Sequence, residues 1–338
     1  MEHVIEFGVF FLKTAVILFA FIIALSYILS ASLKAKAGDK STLQMTNKSK
    51  KLKEREKELQ VKFADPKQAK ALKKEVKKEK KKNKKQAASE EKKRLFVLSF
   101  EGDIKASQTE DLKSEITYLL QAARPQDQVM LKLESPGGMV SGYGLAASEL
   151  LRIKSAGLKL TVCVDKVAAS GGYMMACVAD EILTAPFAIL GSIGVVAQLP
   201  NFHKLLKKND IDYEVLTAGN YKRTLTVFGE NTDKGRAKFV DQLEDIHQLF
   251  KNFVTQNRPQ VDIDQVATGE YWFGNQCVEL KLADGISTSE DFVFSKYKDF
   301  DIFEIKTRKK KSLVDMISEP VSKVLNEKLE QLLMWRGF

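Results

Sequence analysis

The chain has 338 residues, 44% of them hydrophobic, and a net charge of +10 at pH 7; it is longer than one ordinary domain of about 100–200 residues and can bury a sizeable core. The charge is concentrated: Lys34 to Arg94 holds 24 basic against 9 acidic residues, the first 33 residues sum to −1, and the chain from Leu95 on carries −4. The larger part of the molecule is therefore mildly acidic, which excludes it as a nucleic-acid-binding domain of the ordinary electrostatic kind.

Thr14 to Leu33 is a twenty-residue run without a charge, and a helix of that length, at about 1.5 Å per residue, spans the roughly 30 Å hydrocarbon core of a bilayer. Val4 to Leu12 is also largely apolar, and Lys13 between the two runs can snorkel to the headgroups. The pattern predicts a transmembrane anchor over residues 8–33. A cleaved signal peptide is the competing reading, with Ser30-Ala31-Ser32 as its small-residue site. Glu2 and Glu6 in place of a basic n-region, and an apolar run longer than usual, favour a retained anchor. Lys34, Lys36 and Lys40 put the chain that follows the anchor on the cytoplasmic side by the positive-inside rule. Long domains also cross membranes regardless of charge, so the face stays open.

Residues 34–94 are Lys/Glu-rich and almost without aromatics. Such a segment cannot bury enough apolar surface to fold alone. It reads as a solvated, partly helical stalk, or as a polybasic strip on anionic lipid headgroups.

At Leu95 the composition changes. Leu95–Phe100 predicts a strand, Gln108–Ala123 a helix, Val129–Leu133 a strand, Gly142–Ala156 a helix, Leu158–Val164 a strand, and Ile182–Thr184 a short strand after a helix that opens at Ser170. Lys234 to Gln256 carries a long helical pattern. The strand–helix alternation argues for an α/β fold with helices over parallel strands. Gly-rich turns at the carboxyl ends of strands, such as Ser135-Pro136-Gly137-Gly138 and Ser170-Gly171-Gly172, are where open α/β proteins build sites. Taken by itself, Ser170 at a helix start reads first as an N-cap. Cys163, Cys177 and Cys277 are odd in number and lie in apolar surroundings, so they predict buried thiols rather than disulfides or a zinc ligand set. From Lys306 a basic run leads into an amphipathic stretch, Leu313–Trp335, which predicts a tail helix packed on a partner subunit or lying on the membrane.

Ser135-Pro136-Gly137-Gly138, Ala168-Ala169-Ser170-Gly171-Gly172-Tyr173 and Gly191-Ser192-Ile193-Gly194-Val195, in this order and spacing, resemble the signal peptide peptidase A family. The anchor, the Lys-rich stalk and the single catalytic unit look most like its SohB-like branch. The likeness runs from about Leu95 to about Gly285. Gly269-Glu270-Tyr271-Trp272-Phe273-Gly274 resembles the family's closing segment, while its usual Gly-Leu-x-Asp reads Lys281-Leu282-Ala283-Asp284 here. The resemblance implies a ClpP/crotonase-like fold over residues 95–300, with 301–338 as a basic, amphipathic tail. It also implies a serine endopeptidase at the bacterial inner membrane acting on signal peptides or unfolded membrane-proximal segments, with no cofactor and no metal. Ser170 matches the nucleophile, and Lys222, in Gly219-Asn220-Tyr221-Lys222, matches the general base. Gly137 and Gly171 match oxyanion donors, and Ser192 is a supporting hydroxyl. Family members supply serine and lysine from neighbouring units, which implies a homo-oligomer.

The residue chemistry sets a condition on that pair. A serine needs a base to become a nucleophile, and a lysine serves as base where burial disfavours its ammonium. Lys222 is therefore expected to be buried on assembly. Lys204, Lys207 and Lys208 are rivals by proximity but read as the exposed face of a basic helix, and Arg223 stays protonated. Of the three histidines, His3 precedes the anchor, His247 reads as a surface or packing residue, and no motif points to His203. Two other readings stand beside the protease: a crotonase-type acyl-CoA enzyme, and a membrane scaffold retaining an inactive peptidase fold.

Overall fold

The computed structural model describes residues 13, 14, 18, 41–72, 74 and 92–309. The expected tail helix lies outside the described residues, and so does the expected anchor, apart from three isolated positions. Among the described residues no helix is long and apolar enough to cross a membrane. The chain divides into two units, 45–306 and 1–44 with 307–338, and the larger one holds the elements that matter for the site.

In chain order the first half comprises β1 (Ser41–Asn47), α1 (Lys48–Phe63), β2 (Lys93–Glu101), α2 (Thr109–Ala122), β3 (Gln128–Glu134), α3 (Val140–Ser155), β4 (Lys159–Val164), β5 (Val167–Ala169), α4 (Gly171–Ala176) and β6 (Glu181–Thr184). The second half comprises β7 (Ile189–Gly191), α5 (His203–Lys208), α6 (Asp233–Asn257), α7 (Ile263–Val266), β8 (Tyr271–Phe273), α8 (Gly274–Glu279), β9 (Gly285–Ile286), α9 (Ser289–Lys296) and β10 (Phe300–Lys309). The main sheet has the order β1-β10-β2-β3-β4-β6-β9, and its neighbours from β10 to β9 all pair in parallel. A second, three-stranded sheet has the order β5-β7-β8.

Strand alternation sorts the side chains of β2 to two faces. Phe96, Leu98 and Phe100 enter the main core with Leu112 and Ile116 of α2, Ala146 and Leu150 of α3 and Tyr173 of α4. Leu95 and Val97 enter a smaller cluster with Met130, Cys163, Phe292, Tyr297 and Ile302. The second face extends the unit beyond the segment marked by composition. Residues 301–306 continue the sheet as part of β10, which pairs with β2 from Phe300↔Lys93 to Glu304↔Val97. On the N-terminal side α1 packs Leu52 on the same cluster. Buried Ser49 donates from Oγ to the Phe300 carbonyl at 3.3 Å and accepts the Ile302 N–H at 2.5 Å.

All three cysteines are free and buried, and burial pushes each thiol up to about 12. Since the thiolate is the reactive form, iodoacetamide at pH 8 is expected to leave the native protein unmodified at these positions and to alkylate all three after denaturation, as peptide mass mapping would read.

Asp127, fully buried at the start of β3, receives Arg94 Nε at 3.0 Å and Nη2 at 2.5 Å, together with the N–H groups of Arg94 and Arg124. Burial pushes its carboxyl up, but the Arg94 hydrogen bonds, the Arg124 N–H and the guanidinium charge outweigh that and hold it below the usual range. A depressed carboxyl stabilises the fold above the unfolded value of about 4, and that stabilisation is lost as pH falls through the folded value. Asp127→Asn is expected to cost about 2–3 kcal/mol at pH 7, and urea unfolding should show its deficit against wild type shrinking at pH 3.

Candidate active site

Three chain segments converge at the carboxyl end of β3. Ser135, just past that strand, donates its N–H to the Val167 carbonyl at 2.8 Å and accepts the Ala169 N–H at 3.0 Å, forming a parallel bridge to Ala168 in β5. Ala169 pairs with Gly191 of β7, and the Ser170 N–H continues that ladder to the Gly191 carbonyl at 2.8 Å. Ser170 is thus held between the Ser-Pro-Gly-Gly turn and the end of β7, at the mouth of α4.

Ser170 has φ 52° and ψ −119° and makes no side-chain cap hydrogen bond, while every residue of α4 behind it is buried. The cap reading that position alone favours is therefore corrected. An N-cap has an extended backbone that aims its oxygen at the first-turn N–H groups, whereas the positive φ of Ser170 turns its side chain off that path. Such a conformation costs of order 1–3 kcal/mol and persists only where its surroundings dictate it. The surroundings here are tight. A Cβ on Gly171 would overlap the Tyr143 ring, and one on Gly172 would meet the Ser135 carbonyl oxygen at 2.6 Å.

Gly137 stands directly against the serine. It has φ +93°, and a Cβ there would meet Ser170 Cβ at 2.7 Å and Gly171 N at 2.9 Å. Its N–H donates to Ser135 Oγ at 3.0 Å. Gly171, first residue of α4, carries one of the first-turn N–H groups that no intrahelical carbonyl can take. The structure thus brings Ser170, Gly171 and Gly137 together, and the Gly137 N–H is committed to Ser135.

Ser192 follows Gly191, adopts φ 52°, and donates its N–H to the Glu270 carbonyl at 2.6 Å. It directly follows the residue whose carbonyl accepts the Ser170 N–H. Lys222 is not brought to the serine within this chain. It is exposed, in a turn entered through Gly219 at φ +96° and closed by its own N–H to the Gly219 carbonyl at 3.2 Å. The rival lysines lie on α5, which buries none of its residues. His247 Nε2 lies 3.2 Å from the Ile193 carbonyl, a packing link from α6 to the loop of Ser192.

Two supports escape a sequence reading. Tyr143 lies on α3 with its ring under Gly171; it opens the buried stripe of that helix, ahead of Ala146, Ala147, Leu150 and Ile153, and the stripe alone marks it only as a core residue. Arg258, just past α6 and 2% exposed, grips Asp284 at 2.8 and 3.0 Å and the Lys281 carbonyl at 2.8 Å. The Asp-Gly pair at 284–285 is the one signal that could have pointed to it.

Comparison with known proteins gives two adjoining family matches, "Peptidase family S49 N-terminal" over residues 2–150 and "Peptidase family S49" over residues 152–302. The chain is 60% identical over 225 residues to a protein of Haemophilus influenzae named "Probable protease SohB", a match covering 67% of this chain and 64% of the relative, just under two thirds of its length. It is 50% identical over 247 residues to the protein of the same name from Buchnera aphidicola of Acyrthosiphon pisum, covering 73% of this chain and 74% of the relative.

Proposed function

The chain belongs to peptidase family S49, and from that membership we propose that it is a serine endopeptidase in which Ser170 attacks the peptide carbonyl and Lys222 takes its proton. The observation that carries this reading is the state of Ser170: a hydroxyl withheld from helix capping, held at φ 52° at the mouth of a buried helix, with two glycines packed against it.

In the proposed reaction neutral Lys222 Nζ accepts the Oγ proton as Oγ bonds to the carbonyl carbon. The electron pair displaced to oxygen is met by fixed N–H donors. Gly171 supplies one. The Pro-Gly-Gly turn supplies the other, with Gly137 sharing its N–H between Ser135 Oγ and the developing charge. The lysine then returns the proton to the leaving amine, and water hydrolyses the acyl-enzyme by the same route. Ser192 steadies the lysine.

Because Lys222 is exposed in one chain, the proposal includes assembly: a neighbouring copy of a homo-oligomer delivers Lys222 to Ser170 and strips its water. Exposed apolar side chains across the same region support this, among them Val196, Leu205, Ile211, Leu216 and Tyr221, with Leu216 90% exposed. Patches of that kind mark interaction surfaces. The fold we propose is ClpP/crotonase-like. Residues 8–33 anchor the chain in the bacterial inner membrane, and the Lys/Glu-rich segment 34–94, expected as a stalk, contributes β1, α1 and the start of β2 to the fold; the substrates are signal peptides or unfolded membrane-proximal segments.

A fluorophosphonate probe with peptide mapping tests the reading. Adduct at Ser170 of the full-length protein is the expected result. Adduct elsewhere, or none, would contradict it and favour the acyl-CoA enzyme or the inactive scaffold.

A further inference from the structure

Four polar groups form a continuous chain beneath the glycines that flank Ser170. Tyr143 Oη donates its one proton to the Asp103 carbonyl at 2.8 Å. Toward Ser135 Oγ, 2.6 Å away, the phenol oxygen must therefore accept, and the serine hydroxyl donates. The remaining capacity of Ser135 Oγ accepts the Gly137 N–H at 3.0 Å. The direction of each bond is thus fixed: Gly137 N–H to Ser135, Ser135 to Tyr143, Tyr143 to the Asp103 carbonyl.

Ser135 and Tyr143 are both 0% exposed, so no solvent replaces a missing partner. Gly102 makes the room, since a Cβ there would overlap both Ser135 Oγ and Tyr143 Oη. Tyr143 also acts through its other end: its ring occupies the space a Cβ on Gly171 would need. One side chain therefore touches both sides of the nucleophile, Gly171 by its ring and Gly137 through Ser135.

We infer that Tyr143 and Ser135 are positioning residues that set the Pro-Gly-Gly peptide of the oxyanion site against Ser170. This rests on the serine-peptidase reading above. Neither touches the substrate. Their effect falls on the charge that develops on the carbonyl oxygen and not on ground-state binding, because a fixed donor works by costing no reorganisation at the moment of reaction. Tyr143→Phe keeps the ring under Gly171 and removes the acceptor of the buried serine proton together with the donor to the Asp103 carbonyl. Ser135→Ala keeps the phenol and removes the Gly137 acceptor.

The test uses full-length protein in detergent, a β-casein bond that the wild type cleaves, and two ligands built on the residues preceding that bond: a peptide aldehyde, which forms a tetrahedral adduct with Ser170, and the matching peptide alcohol, which does not. Tyr143→Phe is expected to lower kcat about 10- to 100-fold and to weaken the aldehyde by a similar factor, with KM and alcohol affinity changed less than about twofold. Ser135→Ala is expected to act in the same direction. Parallel weakening of aldehyde and alcohol, or no change in either, overturns the inference. So does loss of the folded state in both variants, which would make the pair a stability element. If the wild type shows no Ser170-dependent cleavage, the peptidase reading itself fails, an outcome separable from the others because it appears before any variant is compared.

Discussion

Ser170→Ala and Lys222→Ala are each expected to lower casein hydrolysis by the full-length protein about 10⁴-fold, and neither is expected to move the unfolding midpoint. The pairing of these two outcomes is what distinguishes catalytic residues from structural ones. Ser170 Oγ caps no helix, and alanine at the same backbone angles leaves the ladder from its N–H to Gly191 in place. Lys222 is exposed, so truncating its side chain removes no buried contact within the chain. In the proposed reaction both groups act on one proton transfer, so either substitution would remove the whole step. The double variant should therefore be no worse than either single one, a non-additivity expected of residues that work as a unit.

Arg258→Met is expected to destabilise the larger unit by about 2–3 kcal/mol, read as a fall in the urea midpoint at unchanged slope. Arg258 is 2% exposed, and its guanidinium reaches Asp284 through two hydrogen bonds and the Lys281 carbonyl through a third. Asp284 also accepts the Ile182 N–H at 2.7 Å, so the pair ties the end of α6 to β6 and to the turn before β9. The same turn receives Tyr173 Oη, from the helix that follows Ser170, at the Leu282 carbonyl. Methionine fills similar volume but leaves the Lys281 carbonyl without its donor and Asp284, whose side chain is 34% exposed, to water, so the loss is that of charge-assisted hydrogen bonds from a buried guanidinium. Activity per folded molecule should survive, because the clamp lies behind α4. A loss below about 1 kcal/mol would contradict the clamp.

The elements with a full period of hydrophobic pattern were legible in the sequence. Lys234–Gln256 becomes α6 within a residue at each end, and the strands expected from Leu95, Val129 and Leu158 become β2, β3 and β4. The short strands β5, β7, β8 and β9 have two or three residues each, too few to show a period, yet β5 and β7 set the position of Ser170. The strand β10 hides in the sequence because its later residues are basic. Its apolar positions, Phe300, Ile302, Phe303 and Ile305, keep no period of two before the charges begin. The helix α1 hides in the stalk because it docks through Leu52 and a buried serine, not through an apolar stripe. At the site, the motifs marked Ser170 and the glycines, but no pattern tells that the Gly137 N–H is taken by Ser135 or that Tyr143 lies beneath Gly171 and reaches Gly137 through Ser135. Those are consequences of packing. Lys222 stood out only by resemblance, and in the folded chain it waits in an exposed turn.

That exposed lysine defines the most direct measurement of the central claim, that Ser170 is completed by Lys222 of another copy. Ser170→Ala and Lys222→Ala chains, each inactive alone, are dissociated, mixed in equal amounts and reassembled. If neighbouring copies share the site, random mixing pairs an intact serine with an intact lysine at about one site in four, and about a quarter of wild-type proteolysis should return. No recovery, from mixed oligomers shown to contain both chains, would contradict a site shared between copies.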